Sequence, residues 1–178
     1  MHIPTHILSG WCVASVLKLT PRERFFAMVA AAVADVDGIG KIISENLYQD
    51  LHHKLGHNVF FAIVVSIVLT IFSTHRVKAF ALYLLLTHVH LLLDYYGSGP
   101  GWPIWYLWPV NDFKFKNENA WEFFSWQNIS AGYGMVALTF FLSWKHRRTP
   151  LEFVMPSLDH KLVTMLHRRP PDDLDTSM

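Results

Sequence analysis

The sequence predicts an all-α fold: a polytopic membrane helix bundle of about five helices with a metal site at one membrane face. Hydrophobic residues make up 52% of the 178 residues and charged residues only 16%, whereas a soluble domain usually carries about 25% charged residues. The apolar residues come in long blocks, with a mean hydropathy of +0.23. Histidines and aspartates stand at the ends of these blocks, which is the third observation.

The first two helices are predicted from an apolar block and a helix-start signal. Residues 7–17 form the apolar block. The following Thr20-Pro21-Arg22-Glu23 combines an N-cap hydroxyl, a proline in the first turn and a glutamate three residues after the cap, the pattern of a capping box. We expect the second helix to run over residues 21–34 and to end at Asp35-Val36-Asp37-Gly38, where the glycine permits a turn.

Three further helices are predicted from longer apolar runs. They cover residues 59–72, 79–95 and 123–144, and a polar, irregular segment over residues 38–57 precedes them. An aromatic loop rich in tryptophan lies between the last two, and tryptophan favours the membrane interface. We expect a membrane bundle over residues 1–150, an amphipathic interfacial segment over 151–169 and a disordered tail over 170–178.

The distribution of basic residues predicts the orientation of the bundle. If the helices alternate in direction, one side holds most of the lysines and arginines, namely Lys18, Arg22, Arg24, Arg76, Lys78, Lys145, Arg147 and Arg148. The positive-inside rule puts that side, with the C-terminus, in the cytoplasm of the cell, so the chain is expected to be a multi-pass membrane protein. The same trace gathers the histidine- and aspartate-bearing helix ends on the opposite face.

Those gathered residues are good ligands for zinc or a similar divalent ion. His53 and His57 are four residues apart, as are His90 and Asp94, so on a helix each pair would share one face. The predicted metal ligands are His6, Asp35, His53, His57, His90 and Asp94. Their number suits one or two ions, with zinc as the expected metal.

A divalent ion in such a site would lower the pKa of water and favour hydrolysis of a phosphoester or ester. We take Asp37 and His53 as the catalytic candidates, Asp37 either as a general base or as the group that orients a ligand histidine. The aromatic loop would receive a lipid-like substrate.

The order of these motifs resembles the membrane-bound metal-dependent hydrolase family, whose members are also described as LexA-binding, inner-membrane-associated hydrolases. The resemblance covers roughly residues 1 to 115 and lies in His6, Asp35-Val36-Asp37, His53-Lys54-Leu55-Gly56-His57-Asn58, His90-Leu91-Leu92-Leu93-Asp94 and Trp108-Pro109. The resemblance implies a multi-helix protein of the bacterial inner (plasma) membrane with a hydrolytic metal site. Lys54, Gly56 and Asn58 depart from the family pattern, which usually has Arg, Thr and Ser there.

Other interpretations remain open at the level of sequence. The chain could be a soluble all-α protein with buried helices, or a non-enzymatic, metal-stabilised membrane subunit or scaffold. Binding of haem by two histidines is a further alternative, although carboxylates among the histidines suit a harder ion. Membrane lipids, a lipid-like substrate and protein partners in a membrane complex are the expected partners. The net charge of +1 argues against nucleic acid.

Overall fold

The computed structural model describes residues 1–167, and its regular elements are helices. The α-helices are α1 (Ile3–Ser15), α2 (Pro21–Ala32), α3 (Gly40–Ile43), α4 (Glu45–Leu51), α5 (Val59–Ile71), α6 (Arg76–Gly97), α7 (Trp126–His146) and α8 (Pro156–Leu166), and a 3₁₀ helix (Val33–Ile39) follows α2. No strand occurs among residues 1–167, where Ile104 and Phe115 form one isolated bridge. The predicted all-α class is therefore confirmed for the described residues, and the predicted tail over 170–178 lies outside them.

Local signals start the long helices where the sequence indicates. The capping box of α2 is complete, because Thr20 accepts from the amide of Glu23 at 3.2 Å and the Glu23 carboxylate accepts from the amide of Thr20 at 2.8 Å. Asn58 caps α5 by accepting from the amide of Phe61 at 2.8 Å. Side-chain acceptors of this kind satisfy amides that have no partner within the helix.

The long helices pack in the order α7, α1, α2, α6, α5. Small residues allow α1, α2 and α6 to approach closely, as in many membrane bundles. The buried core between them is Ala14, Ala27, Ala30, Ala31, Ala79, Leu82, Tyr83 and Leu86. Gly10 of α1 faces the backbone of α2 so closely that a Cβ there would lie 2.6 Å from the carbonyl oxygen of Ala27.

Polar contacts join several helix ends at one end of the bundle. The Glu23 carboxylate accepts from the backbone amide of His75 at 2.7 Å, which links α2 to the start of α6. Arg24 forms a two-point ion pair with Glu152, which fixes the segment between α7 and α8 to α2. This end also carries the basic residues that the sequence assigns to the cytoplasm.

The lengths of the helices bear on the membrane prediction. Among residues 1–167, only α6 is both long and apolar enough to cross a bilayer, and α5 is a shorter apolar helix. The 13 residues of α5 extend about 20 Å, against a hydrocarbon core about 30 Å thick. The structure thus provides one candidate span.

The polar segment before α5 is more regular than predicted. It contains the 3₁₀ helix, α3 and α4, and only the stretch from His52 to Asn58 is without helix. The four-residue spacing of His53 and His57 suggested that they share one helical face. They do not, because neither residue lies in a helix. They lie in the loop between α4 and α5, and the course of that loop brings their rings together.

Candidate metal centre

The candidate centre is built around Asp94, near the end of α6. This carboxylate is 2% exposed. Its oxygens lie 3.0 Å from the Nε2 atoms of His57 and His90 and 3.1 Å from Nε2 of His6. The amino group of Met1 also contacts Asp94. Residues from the start of α1, the loop before α5 and the end of α6 thus meet at one carboxylate.

In three of the histidines, a hydrogen bond from Nδ1 to an oxygen acceptor orients the imidazole ring. His90 donates to the carbonyl oxygen of Ala31 at 2.8 Å, and His53 donates to that of Trp102 at 3.3 Å. Nδ1 of His57 lies 2.9 Å from Oδ2 of Asp37. A carbonyl oxygen can only accept, so Nδ1 carries the proton and Nε2 presents a lone pair in the neutral ring. Metal-binding histidines are commonly oriented in this way.

The 3₁₀ helix after α2 separates the roles of its two aspartates. With about three residues per turn, Asp35 and Asp37 point in different directions. Asp35 faces the centre, with an oxygen 3.7 Å from Nε2 of His90. Asp37 lies behind the imidazoles, where it contacts His52 at 2.7 Å, His57 at 2.9 Å and the amide of Gly56 at 3.1 Å.

Four residues present donor atoms that could share one ion. Single donor atoms of Asp35, His57, His90 and Asp94 all lie within 4.8 Å of one another. The Nε2 atoms of His57 and His90 are only 3.2 Å apart. These nitrogen atoms and the carboxylate oxygens converge, and a divalent cation between them would be coordinated by all four residues. Oδ2 of Asp35 is buried without a hydrogen-bond partner. The donor set therefore fits a metal ion.

The pKa values of His53, His57 and Asp37 are strongly shifted. Burial opposes the charged form of His57, but hydrogen bonds with Asp37 and Asp94 raise its pKa to about 9. Burial lowers the pKa of His53 well below its ordinary value, so its ring is neutral. Burial also acts on Asp37, yet hydrogen bonds from His52 and His57 outweigh it and lower the pKa of this carboxyl. Metals bind neutral imidazoles next to ionised carboxylates, so an ion at this centre would displace the proton that the raised pKa keeps on His57.

The loop adopts its course because of two backbone features. His53 has a φ of 63°, a left-handed conformation that histidine tolerates better than most residues. Gly56 packs on the first turn of the 3₁₀ helix, where a Cβ would lie 2.0 Å from the carbonyl oxygen of Ala34. Glycine is required at this close approach.

A cavity of about 390 Å³, here called the site cavity, leads to the centre. Asp35, His53 and Asp94 line its floor. Its walls are formed by Met1, Lys41, Tyr48, His52, Ser98, Trp102, Phe123 and Phe124. The centre thus has a side on which a small molecule could approach.

All six predicted ligands lie in this region, but not in equal positions. His57, His90, Asp35 and Asp94 form the tight group, and His6 contacts it through Asp94. His53 stands at its edge, with Nε2 4.0 Å from Oδ2 of Asp94. The catalytic candidate Asp37 contacts His57 from behind, and it is not among the residues that line the site cavity.

Sequence reasoning missed several groups that shape the centre. The carbonyl oxygens of Ala31 and Trp102 orient ligands, and backbone groups leave no signal in side-chain patterns. His52, which is not among the predicted site residues, contacts Asp37 and is stacked on Tyr48 with ring centroids 4.7 Å apart.

A family model described as YdjM inner membrane protein matches residues 1–163. The chain belongs to the YdjM inner membrane protein family. The match includes every predicted ligand, and the family description refers to the membrane and to no reaction. No curated protein and no solved structure matches the chain. Membership in this family supports the membrane prediction over the soluble alternative.

Proposed function

We propose that this YdjM-family protein is a metal-dependent hydrolase of the bacterial inner membrane, acting on a phosphoester or ester bond of a lipid-like molecule. The observation that carries the proposal is the donor group of Asp35, His57, His90 and Asp94, in which Asp35 and Asp94 also line the site cavity. Mixed imidazole and carboxylate donors suit zinc, with one ion in the tight group.

The reaction would be addition of water to the ester. The water oxygen bonds to phosphorus or to the acyl carbon, the bond to the leaving alcohol breaks, and a water proton ends on the alcohol oxygen. A divalent cation held there would polarise the ester and lower the pKa of water. We assign the proton transfer to His53, which is neutral, lines the cavity and lies beside the tight group.

Asp37 fits a positioning role better than that of a base. Both of its oxygens are engaged, by His52 on one side and by His57 and Gly56 on the other. Its side chain is buried behind His57. From there it would hold the His57 ring with Nε2 towards the ion.

Charge and exposure support a multi-pass topology with the centre on the periplasmic face. The basic residues at the Arg24–Glu152 end favour the cytoplasm under the positive-inside rule. Helix α5 exposes a broad apolar surface made of Phe60, Ile63, Val64, Ile67, Val68 and Ile71. Such a surface suits contact with lipid. Shorter helices would then cross a locally thinned bilayer beside α6.

One observation favours the alternative of a metal-stabilised subunit or scaffold. His57, His90 and Asp94 are at most 2% exposed, and structural metal sites are closed in this way. The two functions differ in whether a small molecule reaches the ion. The site cavity favours the hydrolase.

Metal content tests the proposal directly. Protein purified in detergent should retain about one zinc per chain, and Asp94→Ala or His57→Ala should lose most of it. His88→Ala is the matched control, because His88 lies on the same helix as His90 but bonds Leu84 and Tyr106 instead. Elemental analysis measures all four proteins. Equal metal content in wild type and both ligand variants would refute the site.

Turnover separates the enzyme from the scaffold. Zinc-loaded wild type should hydrolyse members of a panel of short-chain phospholipids and neutral diacyl esters, and His53→Ala should retain metal but lose most of the rate. If metal-loaded wild type hydrolyses no member of the panel, the hydrolase proposal is refuted and the structural role is favoured.

A further inference from the structure

The site cavity has two chemically different walls. Lys41 and Tyr48 form a polar wall, with Nζ of Lys41 5.4 Å from the centroid of the Tyr48 ring. Phe123 and Phe124 form an apolar wall, and Trp102 lies next to Tyr48, with ring centroids 5.3 Å apart. A molecule that fills the cavity therefore meets a cation on one side and aromatic rings on another.

The balance of charge in the cavity favours an anion. A divalent cation between Asp35 and Asp94 would balance the two carboxylate charges on the floor. The charge of Asp37 is directed away, towards His52 and His57. Lys41 takes part in none of the ion pairs formed within residues 1–167. Its charge would remain for a ligand.

The exposed aromatic residues at the mouth favour a ligand with an apolar part. Phe124 is 80% exposed and Phe123 is 43% exposed. Trp126, which begins α7 just beyond them, is 72% exposed. Aromatic side chains with this exposure are typical of the boundary between headgroups and hydrocarbon.

We propose that the site cavity binds an amphipathic phosphate ester, with Lys41 holding the phosphate and the aromatic mouth receiving the apolar part. The inference rests on the proposed function, of which it names the substrate class. A lysine supplies three N–H donors and a full charge to phosphate. A neutral carboxylic ester offers no charge to Lys41, so the cavity should discriminate against it.

Binding of defined lipids tests the inference. The probes are dihexanoyl phosphatidate, the neutral dihexanoylglycerol with the same chains, and glycerol 3-phosphate, each titrated calorimetrically into zinc-loaded, full-length protein. Wild type should prefer phosphatidate over both other probes. Lys41→Ala should bind phosphatidate about tenfold more weakly, the loss expected for a hydrogen bond to a charged group. Lys41→Arg should recover most of the affinity.

Lys54→Ala is the matched control. Lys54 also lies over an aromatic ring, with Nζ 4.6 Å from the ring of Trp105, but it does not line the site cavity. Its removal should leave phosphatidate affinity unchanged. The zinc content of each variant, measured on the same samples, shows that the centre is intact.

Three results would overturn the inference. They are equal affinity for phosphatidate and dihexanoylglycerol, unchanged binding by Lys41→Ala, and an equal loss in Lys54→Ala. Tighter binding of glycerol 3-phosphate than of phosphatidate would overturn the claim that the aromatic mouth receives an apolar part of the ligand. Failure of the proposed function looks different, because zinc-loaded protein then shows no turnover while the dependence of phosphatidate binding on Lys41 persists.

Discussion

At the scale of single residues, the centre depends on what holds each imidazole. His90 and His53 are oriented by backbone carbonyls, but His57 is oriented by a carboxylate. A carboxylate makes the imidazole more basic and fixes its tautomer, and loss of such a partner typically lowers metal affinity about 10- to 100-fold.

Asp37→Asn should therefore lower zinc affinity by about 10- to 100-fold without removing a ligand. The amide keeps the shape of the side chain but loses the charge that holds Nδ1 of His57. Zinc affinity is measured by competition with a chromogenic chelator, and circular dichroism checks that the helices remain.

His52→Gln is the comparison for Asp37→Asn. It removes the other imidazole on Asp37 and leaves the contact with His57 in place, so its effect on zinc affinity should be smaller. A wild-type affinity in Asp37→Asn would contradict the positioning role.

The candidate ligands could be predicted from their residue types and from their positions at the ends of helices. Asp35, His57, His90 and Asp94 do lie within reach of one ion. Their relative positions could not be predicted, because the orienting groups include the carbonyl oxygens of Ala31 and Trp102. Only the packing of the end of α2 and of the aromatic loop brings these oxygens to the rings.

At the scale of elements, the loop from His52 to Asn58 determines whether the centre forms. It has a left-handed residue at His53, crosses the 3₁₀ helix at Gly56 and ends at the Asn58 cap of α5. Asn58 also donates to the carbonyl oxygens of Lys54 and Leu55, both at 2.8 Å. The loop is thus closed by its own capping residue.

Gly56→Ala should displace this loop. The added Cβ would lie 2.0 Å from the Ala34 oxygen and 2.8 Å from its carbon, and overpacking of this kind costs about 1–3 kcal/mol. His57 follows directly, so zinc retention should fall together with the thermal midpoint. Elemental analysis and thermal unfolding measure the two effects.

Gly134→Ala is the control for the added methyl group. A Cβ at Gly134 in α7 meets nothing within 4 Å, and alanine favours a helix by up to about 1 kcal/mol over glycine. This variant should keep its zinc and should not lose stability. Full zinc retention by Gly56→Ala would show that the close approach to the 3₁₀ helix does not position His57.

The long helices were readable from the sequence because apolar runs and capping residues mark them. The capping box at Thr20 and Glu23 marks the start of α2 in both sequence and structure. Helices α3 and α4 were missed, since they are short and polar and are held mainly by contacts with each other and with the 3₁₀ helix. The spacing of His53 and His57 was interpreted as helical, but both residues lie in the loop between α4 and α5.

At the scale of the whole molecule, the two ends of the bundle differ in chemistry. One end holds the metal-binding donors and the aromatic mouth of the site cavity. The other holds the Arg24–Glu152 pair, the Glu23–His75 contact and most of the basic residues. The family match and the candidate span α6 agree with a membrane protein, and the multi-pass topology is our proposal.

This difference predicts which residues face the periplasm. In a Cys12→Ser background, Lys114→Cys reports on the aromatic loop and Arg147→Cys reports on the end of α7. Cys12 is the native cysteine and is buried, so its removal leaves each new thiol as the sole target. An impermeant maleimide added to intact cells should label Lys114→Cys and spare Arg147→Cys, and both should be labelled once the cells are lysed. Equal labelling of the two variants in intact cells would exclude the two-sided arrangement, and the reverse pattern would put the centre in the cytoplasm, where a periplasmic lipid could not reach it.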